Sequence, residues 1–252
     1  NFKMPTIWRS SIGADYKIPN TPITLTTDIL YTRDVNAAYQ FGANRKAATD
    51  KMTYAGVDRD FYPNSESFQY NNKIGGNSAV VLTNTKTKGH AFSATFGGSL
   101  SQWNGLSGSI FYTYSEAKEV SANNGSNASS AWLGSPVINS PNQDFLSISD
   151  YAIPHRIVAN LSYTIKNTTL GVYYNGANQG RFSYYHSFDL NGDGITNDLI
   201  FLPKNTSDMK FADIKKGNDV LFSKADQIEA FDKFVRDNGL EKYRGQILPR
   251  NQ

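Results

Sequence analysis

His155-Arg156-Ile157-Val158-Ala159-Asn160-Leu161-Ser162-Tyr163-Thr164-Ile165-Lys166-Asn167-Thr168-Thr169-Leu170-Gly171-Val172-Tyr173-Tyr174-Asn175-Gly176 contains two runs of alternating apolar and polar residues. Ile157, Ala159, Leu161, Tyr163 and Ile165 share one face of the first run, against Arg156, Asn160, Ser162 and Thr164, with Val158 out of phase. In the second run Leu170, Val172 and Tyr174 oppose Thr169, Gly171, Tyr173 and Asn175. A period of two means extended strands, and the tight turn at Lys166-Asn167-Thr168 makes them an antiparallel hairpin. The Arg, Asn, Ser and Thr face is too hydrophilic for a dry core. The apolar face ends in tyrosines. A sheet that is wet on one side and apolar with aromatic ends on the other suits the wall of a membrane β-barrel, whose lumen is polar and whose outside meets lipid.

The same alternation recurs upstream. Residues 7–18 place Trp8, Ile12, Ala14, Tyr16 and Ile18 opposite Arg9, Ser11, Gly13, Asp15 and Lys17. Pro19-Asn20-Thr21-Pro22 is a turn, because proline withholds a ladder donor and Asn tolerates turn dihedrals. Further strands are expected over 23–33, 80–100, 106–118, 155–166 and 169–186. The segments between and after them, 36–78, 119–152 and 187–252, lack the pattern and are expected as long loops. Connections therefore alternate between short and long. Outer-membrane barrels sort their connections in this way, with short periplasmic turns on one rim and long extracellular loops on the other. Trp8, Tyr16, Tyr31, Tyr112, Tyr114, Tyr163 and Tyr174 fall on the lipid-facing side, mostly near strand ends, as an interfacial girdle would. An aromatic binding face or the core of a soluble β module would use the same residues.

Composition narrows the functional classes. The 252 residues are 39% hydrophobic and 13% aromatic, with a net charge of +3 and a mean hydropathy of −0.48. No stretch approaches the roughly 18–20 consecutive apolar residues of a membrane helix, which says nothing against a barrel. There is no basic block to recruit nucleic acid. The absence of cysteine excludes disulfides and thiolate-bound metals. The three histidines, His90, His155 and His186, form no metal-binding motif, and no Gly-x-Ser-x-Gly nucleophile elbow occurs. No enzymatic activity is expected. His155-Arg156 reads as a strand-entry point where Asp150, Arg156 and Pro154 fix the loop geometry, the alternative being a ligand-facing basic pair.

One loop carries a metal-binding pattern, Asp189-Leu190-Asn191-Gly192-Asp193-Gly194-Ile195-Thr196-Asn197-Asp198. Asp189, Asn191 and Asp193 occupy positions 1, 3 and 5 of an EF-hand-type loop, with Gly194 at the turn position. The Ile195 carbonyl and the Asn197 side chain follow at positions 7 and 9. Position 12 is Ile200, where an EF-hand has glutamate, so Asp198 is the expected substitute. The set predicts a structural Ca2+ that orders an external loop. The competing reading is an Asx- and Gly-rich turn cluster that binds nothing. Downstream, Ser223 to Asn238 is expected as the one loop helix. Ser223 is its N-cap, Asp226 its third position and Gly239 its C-terminal signal, with Ile228, Phe231, Phe234 and Val235 as its apolar stripe.

Taken together, the run Asp150 to Tyr163, then Tyr174-Asn-Gly, Gly180-Arg-Phe-Ser-Tyr, the 189–198 loop, Asp198-Leu-Ile-Phe-Leu-Pro, the helix, Tyr243-Arg-Gly and Arg250-Asn resembles the late barrel of TonB-dependent outer-membrane receptors. Val81-Leu-Thr-Asn-Thr, Gly105-Leu-Ser-Gly-Ser and Tyr112-Thr-Tyr-Ser also fit. The resemblance is to the Oar-like group with a carboxypeptidase-regulatory-like N-terminal domain, common in Bacteroidetes. It implies an all-β antiparallel meander forming part of a barrel of about 22 strands with a plugged lumen. This chain would supply about six of those strands and would be a fragment of one barrel domain. It also implies residence in a Gram-negative outer membrane, with lipid around the barrel and energy from the TonB–ExbB–ExbD system through a plug domain. A surface lipoprotein is a further expected partner, and uptake of a substrate the expected activity. The alternatives are an Oar-like surface protein for assembly or adhesion, and a soluble calcium-dependent β-rich binding module.

Overall fold

Alternation of small polar and branched or aromatic residues produces a sheet of long antiparallel strands. The computed structural model describes residues 2–64, 68, 70, 79–122 and 125–251. The strands of the main sheet are β1 (Thr6–Lys17), β2 (Ile23–Gly42), then β5 (Val80–Thr85), β6 (His90–Trp103), β7 (Leu106–Glu119), β8 (Ser147–Ile148), β9 (His155–Ile165) and β10 (Thr168–Ala177). Two small hairpins lie outside that sheet, β3 (Asp50–Tyr54) with β4 (Val57–Phe61), and β11 (Ile214–Lys216) with β12 (Asp219–Phe222). The helices are α1 (Ala128–Leu133) and α2 (Lys224–Asp237). The spatial order β1-β2-β6-β7-β9-β10 is an antiparallel meander. Among the described residues it does not close into a barrel: β1 and β10 each have one paired and one open edge.

Register carries one face across all six strands. Ile12 pairs with Ile29, Ile29 with Ala94, Ala94 with Tyr114, Tyr112 with Ile157, and Leu161 with Val172. The apolar residues of successive strands therefore stand side by side. The opposite face joins hydroxyls and amides across the ladders: Thr95 to Thr113 at 3.0 Å, Ser107 to Ser162 at 3.1 Å, Asn160 Nδ2 donating to Ser109 Oγ at 2.7 Å, and Thr164 to Thr169 at 2.9 Å. Among the described residues no second layer covers the apolar face. Leu161 is 52% exposed, Val172 72% and Ile12 71%.

The three tight connections sit on one rim. Ser101 N donates to Pro22 O and Thr164 N to Gly105 O, which ties neighbouring turns together. Asn20, Asn104 and Lys166 take positive φ there, at 59°, 50° and 51°. The three long connections all rise from the other rim.

Those long connections hold most of the structure's buried side chains. Tyr39, Tyr62, Phe68, Trp132, Ile138, Leu199, Phe201, Met209 and Val235 are buried in or beside them, whereas Ala94 is the buried apolar residue of the strand wall below. Here the structure corrects the sequence reading. The second strand continues nine residues past 33, to Gly42, because its upper half pairs with β5. The strand expected over 80–100 is two strands, β5 and β6. The 36–78 loop contains the β3–β4 hairpin, and 119–152 contains α1, which is closed by an Asn127 and Ser130 capping box. The sixth strand stops at Ala177 rather than 186. In the rest of that span, 178–186, the one bridge among the described residues is the isolated antiparallel one from Tyr185 to Leu199. The α2 helix follows the expected plan: Ser223 and Asp226 form a reciprocal capping box, and Gly239 follows the helix with φ 64°. β9 starts at His155, the expected strand entry, where Asp150 faces Arg250 and accepts from Asn251 Nδ2 while Arg156 donates to Asn175 Oδ1.

Candidate metal centre

The 189–198 segment lies at the centre of the loop mass, where 36–64, 127–142 and 185–201 meet. It is wound by its own side chains. Asp189 Oδ1 accepts from Gly192 N at 2.7 Å and Asp193 N at 3.0 Å, and its Oδ2 accepts from Gly194 N at 2.7 Å. Asn191 Oδ1 accepts from Asp193 N at 3.0 Å, and Asp193 Oδ1 from Ile195 N at 2.8 Å. These are consecutive Asx turns, the local bonding that short acidic and amide side chains favour. The tight curl needs glycine. Gly192 has φ 78°, and a Cβ there would meet Tyr62 O at 2.1 Å. Gly194 has φ 81°.

The surroundings are supplied by distant residues. Tyr62 N donates to Asn191 O, and Asn191 Nδ2 donates to Asn139 O at 2.7 Å. Asn197 Nδ2 donates to the Leu133 and Ser135 carbonyls, so this side chain ties the loop to the end of α1. Asn191 is 0% exposed, and Asp193 and Asp198 are each 1% exposed. Two buried arginines face these carboxylates. Arg45 Nη2 stands 2.9 Å from Asp193 Oδ2, and its Nη1 donates to Asp193 O at 2.6 Å. The Tyr62, Phe68 and Trp132 rings surround that guanidinium. Arg59 Nη2 donates to Leu199 O at 2.7 Å, and its charge bears on Asp198.

A buried carboxylate is costly unless it is compensated. Burial pushes the Asp193 carboxyl up to about 7. Arg45 opposes the rise, and the charges of Asp198 and Asp189 add to it. Burial likewise raises Asp198 to about 6, against hydrogen bonding from Leu190 N and the charge of Arg59. Asp198 Oδ2 accepts from Leu190 N at 2.9 Å, but its buried Oδ1 accepts no well-formed hydrogen bond. Excess negative charge and an orphaned carboxylate oxygen fit a cation. Among the described residues no three Asp, Glu, His or Cys side chains converge on a common point at ligand distance. The expected set is a different one, because it also draws on Asn191 and a backbone carbonyl.

Six of the residues singled out in the sequence therefore lie in one buried loop, with Asp189, Asn191 and Asp193 curled around it and Asn197 turned toward α1. The sequence reading missed Arg45 and Arg59. Each is a single arginine in a stretch without periodicity, and only the tertiary packing brings it to the loop. No family model, curated protein or solved structure matches this chain.

Proposed function

We propose that this chain is part of the barrel wall and extracellular cap of a TonB-dependent outer-membrane receptor of the Oar-like group, acting in uptake of a substrate. The observation that carries the proposal is the six-stranded meander whose apolar face is left uncovered by the described residues. Monomeric soluble proteins rarely expose contiguous apolar patches beyond a few hundred Å2. Here Trp8, Ile12, Leu25, Phe96, Ile110, Leu161, Leu170 and Val172 are all exposed, on all six strands of the meander. Length agrees: β9 has 11 residues and β10 has 10, against the roughly 9–11 that cross a bilayer. The 14 residues of β6 and of β7 extend beyond that. The short-turn rim would face the periplasm and the loop cap the outside.

Within that cap, Asp189, Asn191, Asp193, the Ile195 carbonyl and Asp198 would hold Ca2+. The bound ion supplies two positive charges to a site that otherwise has only Arg45 and Arg59 against three carboxylates. The residues themselves fix the loop curl and exclude water from it.

Two experiments test these readings. The full-length protein, with its native flanking sequence, should fractionate with outer membranes and require detergent to remain monodisperse. Monodisperse protein in plain buffer would refute the membrane assignment in favour of a soluble β module. For the ion, thermal melting of the cap with Ca2+ and with a chelator should differ by several degrees. Asp198→Asn, which keeps the shape but removes the charge, should shrink that difference by more than half. Identical melting curves with and without chelator would remove calcium from the account.

A further inference from the structure

A second concave feature lies away from the 189–198 loop. A cleft of about 390 Å3 opens between α2, the segment 179–184 that leaves β10, and the C-terminal segment 239–251. That volume is within the range of small-ligand sites, about 300–1,000 Å3. One wall is aromatic. Phe182, Tyr184 and Phe234 form a chain of edge-to-face contacts, with ring centroids 5.3 and 5.2 Å apart. The wall is held in place from behind. Ser183 Oγ donates to Asn251 Oδ1 at 3.1 Å and accepts from Asn251 N at 2.7 Å, while Ile200 N donates to Tyr184 O at 3.2 Å.

The charge of the cleft is one-sided. Arg181 and Lys242 line it, and no Asp or Glu does among the described residues. On α2, Asp232 is committed to Arg236 and Arg244, and Asp237 to Lys233, while Glu241, beside Lys242 in the sequence, is not among the residues that line the cleft. Neither Arg181 nor Lys242 takes part in an ion pair among the described residues. Lys242 Nζ lies 4.9 Å from the centroid of the Tyr243 ring, which also lines the cleft. Two uncompensated cations beside a preorganised aromatic wall favour a ligand with an anionic head and an apolar body. A guanidinium recognises a carboxylate through two parallel hydrogen bonds, and the rings accept a flat hydrocarbon. A cationic ligand would be repelled.

We infer that this cleft binds a small organic carboxylate with an aromatic or similarly flat apolar body, held by Arg181 and Lys242 against the Phe182, Tyr184 and Phe234 wall. The inference goes beyond the receptor reading and does not depend on the calcium loop. It is tested on the full-length protein in lipid nanodiscs by titration calorimetry, with empty nanodiscs as the reference. The probes are 2-naphthoate and its neutral near-isostere 2-naphthamide. Naphthoate should bind saturably, one per chain, and about tenfold tighter than the amide, as a charge-assisted contact at this site implies. The double substitution Arg181→Gln with Lys242→Gln, both exposed positions, should erase that preference while leaving amide binding in place. Leu248→Trp, which fills the cleft, should remove both. The inference is overturned if naphthoate binds no better than the amide, if uptake merely scales with lipid, or if the double variant keeps the preference. If the protein instead stays monodisperse in plain buffer, the same titrations are run without lipid, so failure of the cleft and failure of the membrane reading are told apart.

Discussion

Leu161 and Trp132 are both large apolar side chains, yet they meet opposite surroundings. Leu161, in the middle of β9, is 52% exposed on a face that none of the described residues covers. Trp132, in α1, is 2% exposed, and its indole Nε1 donates to Asn142 Oδ1 at 2.9 Å. The same division runs through the whole molecule. The sheet is held by backbone ladders and cross-strand pairs, with its apolar side left outward. The cap is held by burial, by interlocking side-chain-to-backbone hydrogen bonds and by enclosed charges. A soluble domain concentrates its apolar burial on its sheet. Here, among the described residues, the burial is concentrated in the connections and the sheet faces outward, the arrangement that the proposed membrane wall requires.

This contrast can be broken from the cap side, where the largest effect is expected. Arg45 compensates Asp193 inside a ring of aromatics, and neither side chain reaches water. Arg45→Ala removes the partner of a buried carboxylate, a change that costs about 3–5 kcal/mol. The cost falls on the cap alone. Hydrogen exchange should show protection lost in α1 and the 189–198 loop while β6, β7 and β9 keep theirs. Uniform loss across the sheet would mean that the two regions are one cooperative unit.

The complementary break is on the sheet. Leu161→Arg places a charge at mid-strand on the apolar face and should cost about 2–4 kcal/mol of stability in a bilayer, as a cation near the midplane does. Asn160→Asp, one residue along and on the polar face, should be nearly neutral, since Asn160 only donates to Ser109 there. The measurement is unfolding free energy in lipid vesicles. Equal costs at 160 and 161 would show that the two faces meet the same medium.

The two regions also differ in how far the sequence disclosed them. The strand wall was legible because period-two alternation is local and each residue declares its face, although the turn closes on Lys166-Asn167 with Thr168 already paired to Ile165, which sets Leu161 opposite Val172. The α2 helix was legible for the same reason, through Ser223, Asp226 and the 228, 231, 234, 235 stripe. The cap was not. The upper half of β2 carries Ala37, Tyr39 and Gln40 into a buried setting, and its partner β5 lies about forty residues downstream, so nothing nearby announces the pairing. Nothing in the neighbouring sequence announces that Arg45, Arg59 and Arg250 are all buried. The 189–198 loop falls between these cases. Its curl is written in the Asp, Asn and Gly spacing, but the arginines that share its charge come from more than a hundred residues away.

The smallest expected effect separates local from tertiary stabilisation inside the cap itself. Ser223 caps α2 by accepting from Asp226 N at 3.1 Å, in a reciprocal box with the Asp226 side chain. Along α2 most side chains are exposed, and Val235 is the fully buried one, so the helix is anchored at its C-terminal half and solvated at its start. Ser223→Ala should then cost about 1 kcal/mol, the usual value of a lost N-cap. The first turn should fray, raising amide exchange at 225–227 severalfold. Exchange near Val235 should stay unchanged, because that end is held by packing and by Leu240 N donating to Val235 O at 2.9 Å. If exchange rose equally at both ends, α2 would be opening as a rigid piece from the cap, and its N-terminal box would be setting its docking and not only its first turn.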